Sequence, residues 1–229
     1  MTTPKHLRVL KTNFRGNPNV GLYLYATDTY CLAGNDVPDE LIPQIQDVLG
    51  VPVHRFSIAG TGLLGVFLAG NERMLLVPSI IFDNEVRALE KLKIAYTVID
   101  TLHTALGNNI ITNNAGALVS TEYDENDRKL IDEALGVKSK PLQFGEVTVL
   151  GSCCAISERG GGVIHRGVKD FEIEMVADTL EVKLERGTVN MGNPYVRGGI
   201  CANSHGLIIG DTSGGPEIVN AEEALRGGE

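Results

Sequence analysis

The chain contains no Trp, and aromatic residues make up only 5% of its 229 positions. A deep aromatic pocket is disfavoured. Cysteine is also scarce: Cys31, Cys153, Cys154 and Cys201 form no CxxC pair and, taken with the His residues, show no zinc-type spacing. Neither a disulfide framework nor a metal site is legible, which fits a reducing compartment. No secretory signal is visible, because Met1 to Arg15 is polar, and the longest uncharged stretches are interrupted by Asn, His or Gly. A soluble cytoplasmic protein with no membrane partner is expected. Positive charge is in deficit, with 20 Lys and Arg against 29 Asp and Glu and a net charge of −9. Such a chain as a whole repels DNA and other nucleic acid, as well as anionic membrane. Its one basic cluster, Lys5, His6, Arg8, Lys11 and Arg15, reads as a solvated first strand.

What the chain does have is a repeat. A small polar residue, two loosely constrained positions and a small-residue turn into apolar residues recur with lead positions Thr27, Asn71, Asn113, Ser157 and Asn203, separated by 44, 42, 44 and 46 residues. Near-constant spacing over almost the whole length says that one supersecondary unit is repeated around a common core. About six residues upstream lies a glycine: Gly21, Gly65, Gly107, Gly151 and, in the last unit, Gly198. The small and apolar residues between give strand, turn, strand.

Downstream the period changes to that of a helix: Leu41, Ile42, Ile45, Val48 and Leu49, then Val86, Leu89 and Leu92, then Leu130, Ile131, Ala134 and Leu135, then Ile173, Val176, Ala177 and Leu180. Asp39, Asn84 and Asp124 are candidate N-caps, and Gly50 and Gly136 suit left-handed helix ends. A third strand follows each helix, as in 51–57, 94–99 and 182–185. The fifth unit has a weak helical stretch, Pro216 to Leu225, and no third strand; the chain instead begins with an orphan strand, Leu7 to Leu10. The two halves should meet, since closure removes an exposed sheet edge. With 43% apolar residues, 27 Gly and no linker, residues 1–229 are expected to form a single α/β domain.

Several stretches imitate chemistry. Gly60 to Gly65 (GTGLLG) matches GxGxxG, but a dinucleotide site needs the motif to open a helix, and here it runs toward another strand. Cys201 with His205, or Cys153 and Cys154 with His165, could supply a thiol nucleophile; Cys31 and Cys201 lie among apolar strand residues, where packing is the simpler role. The triple glycine Gly160 to Gly162 enters a strand, so turn geometry explains it better than phosphate binding. No cofactor is expected. Between units lie small and amide residues at Ser57, Ile58, Ala59 and Gly60, at Leu106, Gly107, Asn108 and Asn109, at Gly151 and Ser152, and at Gly187, Thr188, Val189 and Asn190. Two readings stand open for these corners, a contact surface held by a rigid scaffold or positions that need positive φ.

Five segments carry a resemblance: 28–32 (DTYCL), 53–60 (VHRFSIAG), 70–78 (GNERMLLVP), 102–108 (LHTALGN) and 187–190 (GTVN). From about Asn19 to Leu225 the chain resembles the archaeal translation initiation factor 6 family, in order and in spacing. That resemblance implies a pentein fold of five quasi-identical units about a pseudo-fivefold axis, closed by the N-terminal strand. It implies a monomeric, non-enzymatic factor that sits on the large ribosomal subunit, on a ribosomal-protein surface beside the sarcin-ricin loop with limited rRNA contact, and prevents joining of the small subunit. The family's ribosome-facing surface includes the Leu-Gly-Asn corner, here Leu106, Gly107 and Asn108 with Asn109 adjoining; the neighbouring corners Ser57, Ile58 and Gly60, Gly151 and Ser152, and Thr188 and Asn190 are carried over with it. Val66 stands where eukaryotic members tend to have Arg. The alternative from another class is a pentein enzyme that modifies guanidines through a Cys nucleophile, a His and paired acids.

Overall fold

The computed structural model describes residues 6–227; the expected basic residue Lys5 lies outside them. Each unit opens with a single helical turn. The first runs Val20–Leu22, and its counterparts are Leu64–Phe67, Leu106–Asn109, Leu150–Cys153 and Val196–Gly199. After an N-terminal strand β1 (Arg8–Thr12), the first unit has β2 (Leu24–Ala26), β3 (Cys31–Ala33), a helix Ile42–Leu49 and β4 (Val53–Arg55). The second has β5 (Ala69–Gly70), β6 (Leu75–Pro78), a helix Asp83–Leu92 and β7 (Tyr96–Ile99). The third has β8 (Ile110–Thr112), β9 (Ala117–Ser120), a helix Glu125–Leu135 and β10 (Ser139–Leu142). The fourth has β11 (Cys154–Ser157), β12 (Gly161–His165), a helix Asp170–Leu180 and β13 (Lys183–Gly187). The fifth has β14 (Ile200–Ala202), β15 (Gly206–Gly210) and a helix Gly215–Arg226.

The strands form five three-stranded sheets, one per unit. In each, a hairpin makes the antiparallel pair, and in the first four the helix returns the chain for a parallel one. The fifth sheet takes its third strand from the other end of the chain: β1 pairs in parallel with β15, from Arg8 opposite Gly206 to Thr12 opposite Gly210. The expected meeting of the two halves is realised. The third strands form the outer edges, and four of them carry Arg8 and Lys11, Arg55, Lys140 and Pro141, or Lys183 and Arg186. Charge and Pro on an open edge discourage pairing with other chains. This gives the basic cluster its place, on a solvated edge strand, with Arg8 3.3 Å from Asp47.

The core is divided into five clusters, each lying between the sheet of one unit and the helix of the next. Leu32 and Phe56 meet Leu89; Leu76 and Ile99 meet Ile131 and Leu135; Leu118 and Leu142 meet Val176 and Leu180; Val163 meets Ala221 and Leu225. Cys201 and Ile208 of the fifth unit then meet Ile45, Val48 and Leu49 of the first. Each fully buried Leu or Ile is worth roughly 2 kcal/mol, so the helical stripes read from the sequence are the glue between units. The last of these seams joins the two ends of the chain.

Three expectations are corrected here. The segment after the upstream glycine is a helical turn before it is a strand, because three or four residues satisfy either period. Asn84 does not cap its helix: Phe82 is the N-cap, and its N–H is taken by Glu85 at 2.9 Å. The fifth helix is the longest, at 12 residues. Asp124 does accept the Asp127 amide at 2.9 Å, and Gly50 and Gly136 end their helices at φ of 65° and 68°. The GxGxxG stretch opens only the four-residue turn Leu64–Phe67 and then β5, too short a helix for a dinucleotide phosphate.

Candidate functional site

The inner edge strands β2, β5, β8, β11 and β14 surround a central cavity of about 110 Å³. Its two ends differ in chemistry. At one end the five helical turns touch one another in a cycle that returns to its start. Glycine makes the approach possible. A Cβ on Gly65 would lie 1.9 Å from the Gly21 carbonyl oxygen, on Gly107 2.2 Å from that of Gly65, and on Gly151 2.3 Å from that of Gly107. A Cβ on Gly21 would lie 2.0 Å from the carbonyl oxygen of Arg197. The fifth counterpart is therefore Arg197, and not Gly198, where a Cβ would come no closer than 3.8 Å to anything.

The residue after each of these positions points to the surface at this end: Leu22, Val66, Asn108, Ser152 and Gly198 line one hollow of about 260 Å³ together with Asn19, Tyr195 and Arg197. Two of the expected site residues, Asn108 and Ser152, are thus brought together, both half-buried. Leu106, Gly107, Asn109, Gly151 and Ile58 are buried. They shape the turns and present no side chain; Asn109 instead hydrogen-bonds Tyr123.

The other expected residues sit at the unit corners, where a helix glutamate claims them. Glu85 accepts from Ser57 Oγ at 2.8 Å, Ala59 N at 2.8 Å and Gly60 N at 3.0 Å. Burial alone would raise its pKa, but the Phe82, Gly60, Ser57 and Ala59 donors outweigh it and hold the carboxyl below the ordinary value. Glu217 does the same for Thr188 Oγ1 at 2.7 Å, Met191 N and Gly192 N. Asn190 donates to Pro18 O at 3.0 Å and so spans the seam between last and first units. Sequence reasoning passed over Leu102 and Met191, 96% and 83% exposed at their corners. Large apolar side chains on loops that need none were the available signal.

At the opposite end lie the lead residues of the repeat, and their work is internal. The side-chain oxygens of Asn71, Asn113 and Asn203 accept two amides each within their own turns. Their amide groups reach across the seam to cap the next unit's helix: Asn71 donates to Leu135 O at 3.1 Å, Asn113 to Leu180 O at 2.7 Å and Asn203 to Leu49 O at 2.8 Å. Ser157 does so to Leu225 O. Thr27 keeps its hydroxyl within its own turn, and its seam is joined by Asp28 N donating to Glu72 at 2.9 Å.

The following position carries Asp28, Glu72, Asn114, Glu158 and Ser204, so three carboxylates converge on this rim. Glu72 is pushed up to about 7, first by burial and then by Asp28 and Glu158, against a hydrogen bond from Asp28 N. Glu158 is raised by burial and then by Asp28, against a hydrogen bond from Asn114 and the pull of Arg73. The cavity wall also contains Cys154 and Cys201. Burial raises the Cys154 thiol to about 12, against the pull of Arg197, and no His lines the cavity to serve as a base. Among the described residues no group of three or more His, Cys, Asp or Glu is placed to hold a metal ion, and no helix is long and apolar enough to cross a membrane.

A family model described as the eIF-6 family matches residues 9–224. A protein of Thermococcus onnurineus named translation initiation factor 6 is 34% identical over 225 residues, covering 96% of this chain and 98% of that protein. Those so named from Staphylothermus marinus and Pyrococcus abyssi are each 32% identical, over 97% and 96% of this chain and 99% of theirs. Among solved structures, the agmatine deiminase of C. jejuni aligns with 69% of this chain and 59% of its own at 12% identity and a TM-score of 0.37, a likeness that carries no argument.

Proposed function

The chain belongs to the eIF-6 family, and from that membership we propose that it is a translation initiation factor that binds the large ribosomal subunit and blocks its joining to the small one. The observation that carries this reading is the extent of the family match, residues 9–224, which leaves no room for a separate functional domain within that span. The whole chain then acts as one pentein-type ring, monomeric and cytoplasmic.

The docking surface in this reading is the end formed by the helical turns. Asn108 and Ser152 present polar groups side by side around the axis, while Leu106, Gly107, Asn109 and Gly151 hold them there from beneath. Ser57, Ile58, Gly60, Thr188 and Asn190, at the unit corners, are assigned to the same surface, Ile58 as a buried support. A surface whose backbone is locked by glycine contacts and glutamate braces needs little reorganisation on binding, which favours tight association. A net charge of −9 favours a ribosomal protein beside the sarcin-ricin loop as the main partner, with few rRNA phosphates contacted.

The enzyme reading is not favoured. Cys201 does share its cavity with Asp28, Glu72 and Glu158 and with the positive Arg197, but the Cys-His-acid chemistry of such enzymes needs a base beside the thiol, and no His lines that space. The test is sedimentation of purified subunits with and without the protein. In its presence large subunits should carry the factor and remain free of small subunits; subunits that join as readily as before would overturn the reading.

A further inference from the structure

Four of the five units place glycine where neighbouring helical turns meet; the fifth places Arg197, whose side chain enters the channel that the glycines leave open. Its guanidinium donates one hydrogen bond among the described residues, from Nη2 to Leu68 O at 3.4 Å, and no carboxylate there forms an ion pair with it. Burial draws its pKa below the ordinary arginine value, with Tyr25, Cys201 and Cys154 nearby. Arg197 is half-buried, lining the central cavity on one side and the hollow among the turns on the other. A cation withdrawn from water on its cavity side without a counter-charge is costly.

The far end of the same cavity has the opposite deficiency. Asp28, Glu72 and Glu158 crowd one another there, and the one cation beside them, Arg73, approaches Glu158 from outside the cavity lining. The two charge sets are separated along the axis by the length of a three-residue strand, about 10 Å, less the reach of the side chains. At roughly 15 Å³ for each water, the space of about 110 Å³ takes some seven waters or one small organic molecule. A simple anion would satisfy Arg197 while sitting below three carboxylates, and a simple cation would leave Arg197 unmet. A molecule with a carboxylate at one end and an ammonium at the other meets both.

We propose that the central cavity binds a small organic zwitterion, its carboxylate on Arg197 and its ammonium among Asp28, Glu72 and Glu158. The site shares Arg197 with the hollow at the turn end, but its acidic groups lie at the opposite end, and binding there is read without ribosomes, so it holds whether or not the docking assignment does.

The probe is γ-aminobutyrate, whose two charges are three methylenes apart, compared with acetate and with methylammonium at matched ionic strength. Calorimetric titration of the full chain should give saturable binding of γ-aminobutyrate in the millimolar range, with acetate and methylammonium at least tenfold weaker. Both Arg197→Met and Glu72→Gln should weaken binding at least tenfold; if Arg197→Met fails to fold, Glu72→Gln carries the test. Any of four results overturns the proposal: no saturable binding by about 100 mM, well beyond a millimolar constant; acetate as effective, which makes the cavity an anion site; methylammonium as effective, which makes it a cation site; or both variants binding like the wild type.

Discussion

The two ends of the central channel are built from corresponding positions of the same five units, yet they use them in opposite ways. At the end with the acidic rim the five lead residues are spent inward. Asn71, Asn113, Ser157 and Asn203 each close a seam by capping the next unit's helix. At the turn end the seams are closed by backbone against backbone, glycine against carbonyl, and the next residue is left free to differ: Leu22, Val66, Asn108, Ser152, Gly198. Agreement among the units marks the positions that hold the protein together. Individuality begins one residue later, at the turn surface and on the acidic rim, and at Arg197 it breaks the agreed position itself.

The largest break in this pattern comes from removing residues 1–11. The deletion takes most of β1, strips β15 of its parallel partner and removes Leu7 and Leu10 from two core clusters. The truncated chain should lose its cooperative thermal transition; a melt at the wild-type temperature would show that closure through β1 is dispensable.

Next in size is the contrast between Gly65→Ala and Gly198→Ala. The first drives a Cβ to within 1.9 Å of a backbone oxygen, whereas the second meets nothing nearer than 3.8 Å. Overpacking against backbone should cost about 3 kcal/mol or more, and the second change should stay within about 0.5 kcal/mol. Equal denaturation midpoints for the two would contradict the assignment of Arg197 as the fifth counterpart.

Asn203→Ala should cost about 2 to 4 kcal/mol, because it leaves the carbonyls of Thr27 and Leu49 without a donor and two amides of its own turn without an acceptor. Thr27→Ala, at the seam that lacks this staple, should cost less. Urea titration of the pair decides it.

The smallest effect concerns charge. Glu72 has a folded pKa of about 7, above its ordinary 4.5, so between these values the folded state holds more proton than the unfolded one, and stability falls as pH rises through that window. Glu72→Gln removes the penalty. Its melting temperature should exceed the wild type's by about 2 °C at pH 8 and match it near pH 4; an advantage that grows on acidification would reverse the sign and refute the crowding of the rim.

Periodicity carried most of the fold. The spacing of the lead residues, the helical stripes and the orphan strand 7–10 were legible because each is enforced five times or by an unpaired edge. The single helical turns were not, since residues such as 106–109 fit a strand as well as a helix. Gly198 was chosen over Arg197 because a glycine adjacent to the expected position masks a register shift that only the carbonyl contacts expose. The bracing of the corners went unread: the third residue of the helix that follows Ser57 is Glu85 and of the one that follows Thr188 is Glu217, with Glu172 at the same place in the fourth unit. That recurrence was the signal. Asn108 and Ser152 entered as site candidates because they are an amide and a hydroxyl at corners between units and because the family resemblance carries those corners over.

One substitution on each end tests the central claim most directly. Asn108→Arg adds bulk and charge to the turn surface, and Ser204→Arg adds the same to the rim at the other end. A clashing charge within a binding surface commonly costs several kcal/mol, whereas neither residue is part of a core cluster. With both variants melting near the wild type, Asn108→Arg should fail to co-sediment with large subunits and should no longer keep them apart from small subunits, while Ser204→Arg should do both normally. If Asn108→Arg melts normally and still blocks joining at wild-type concentrations, the turn end is not the docking surface.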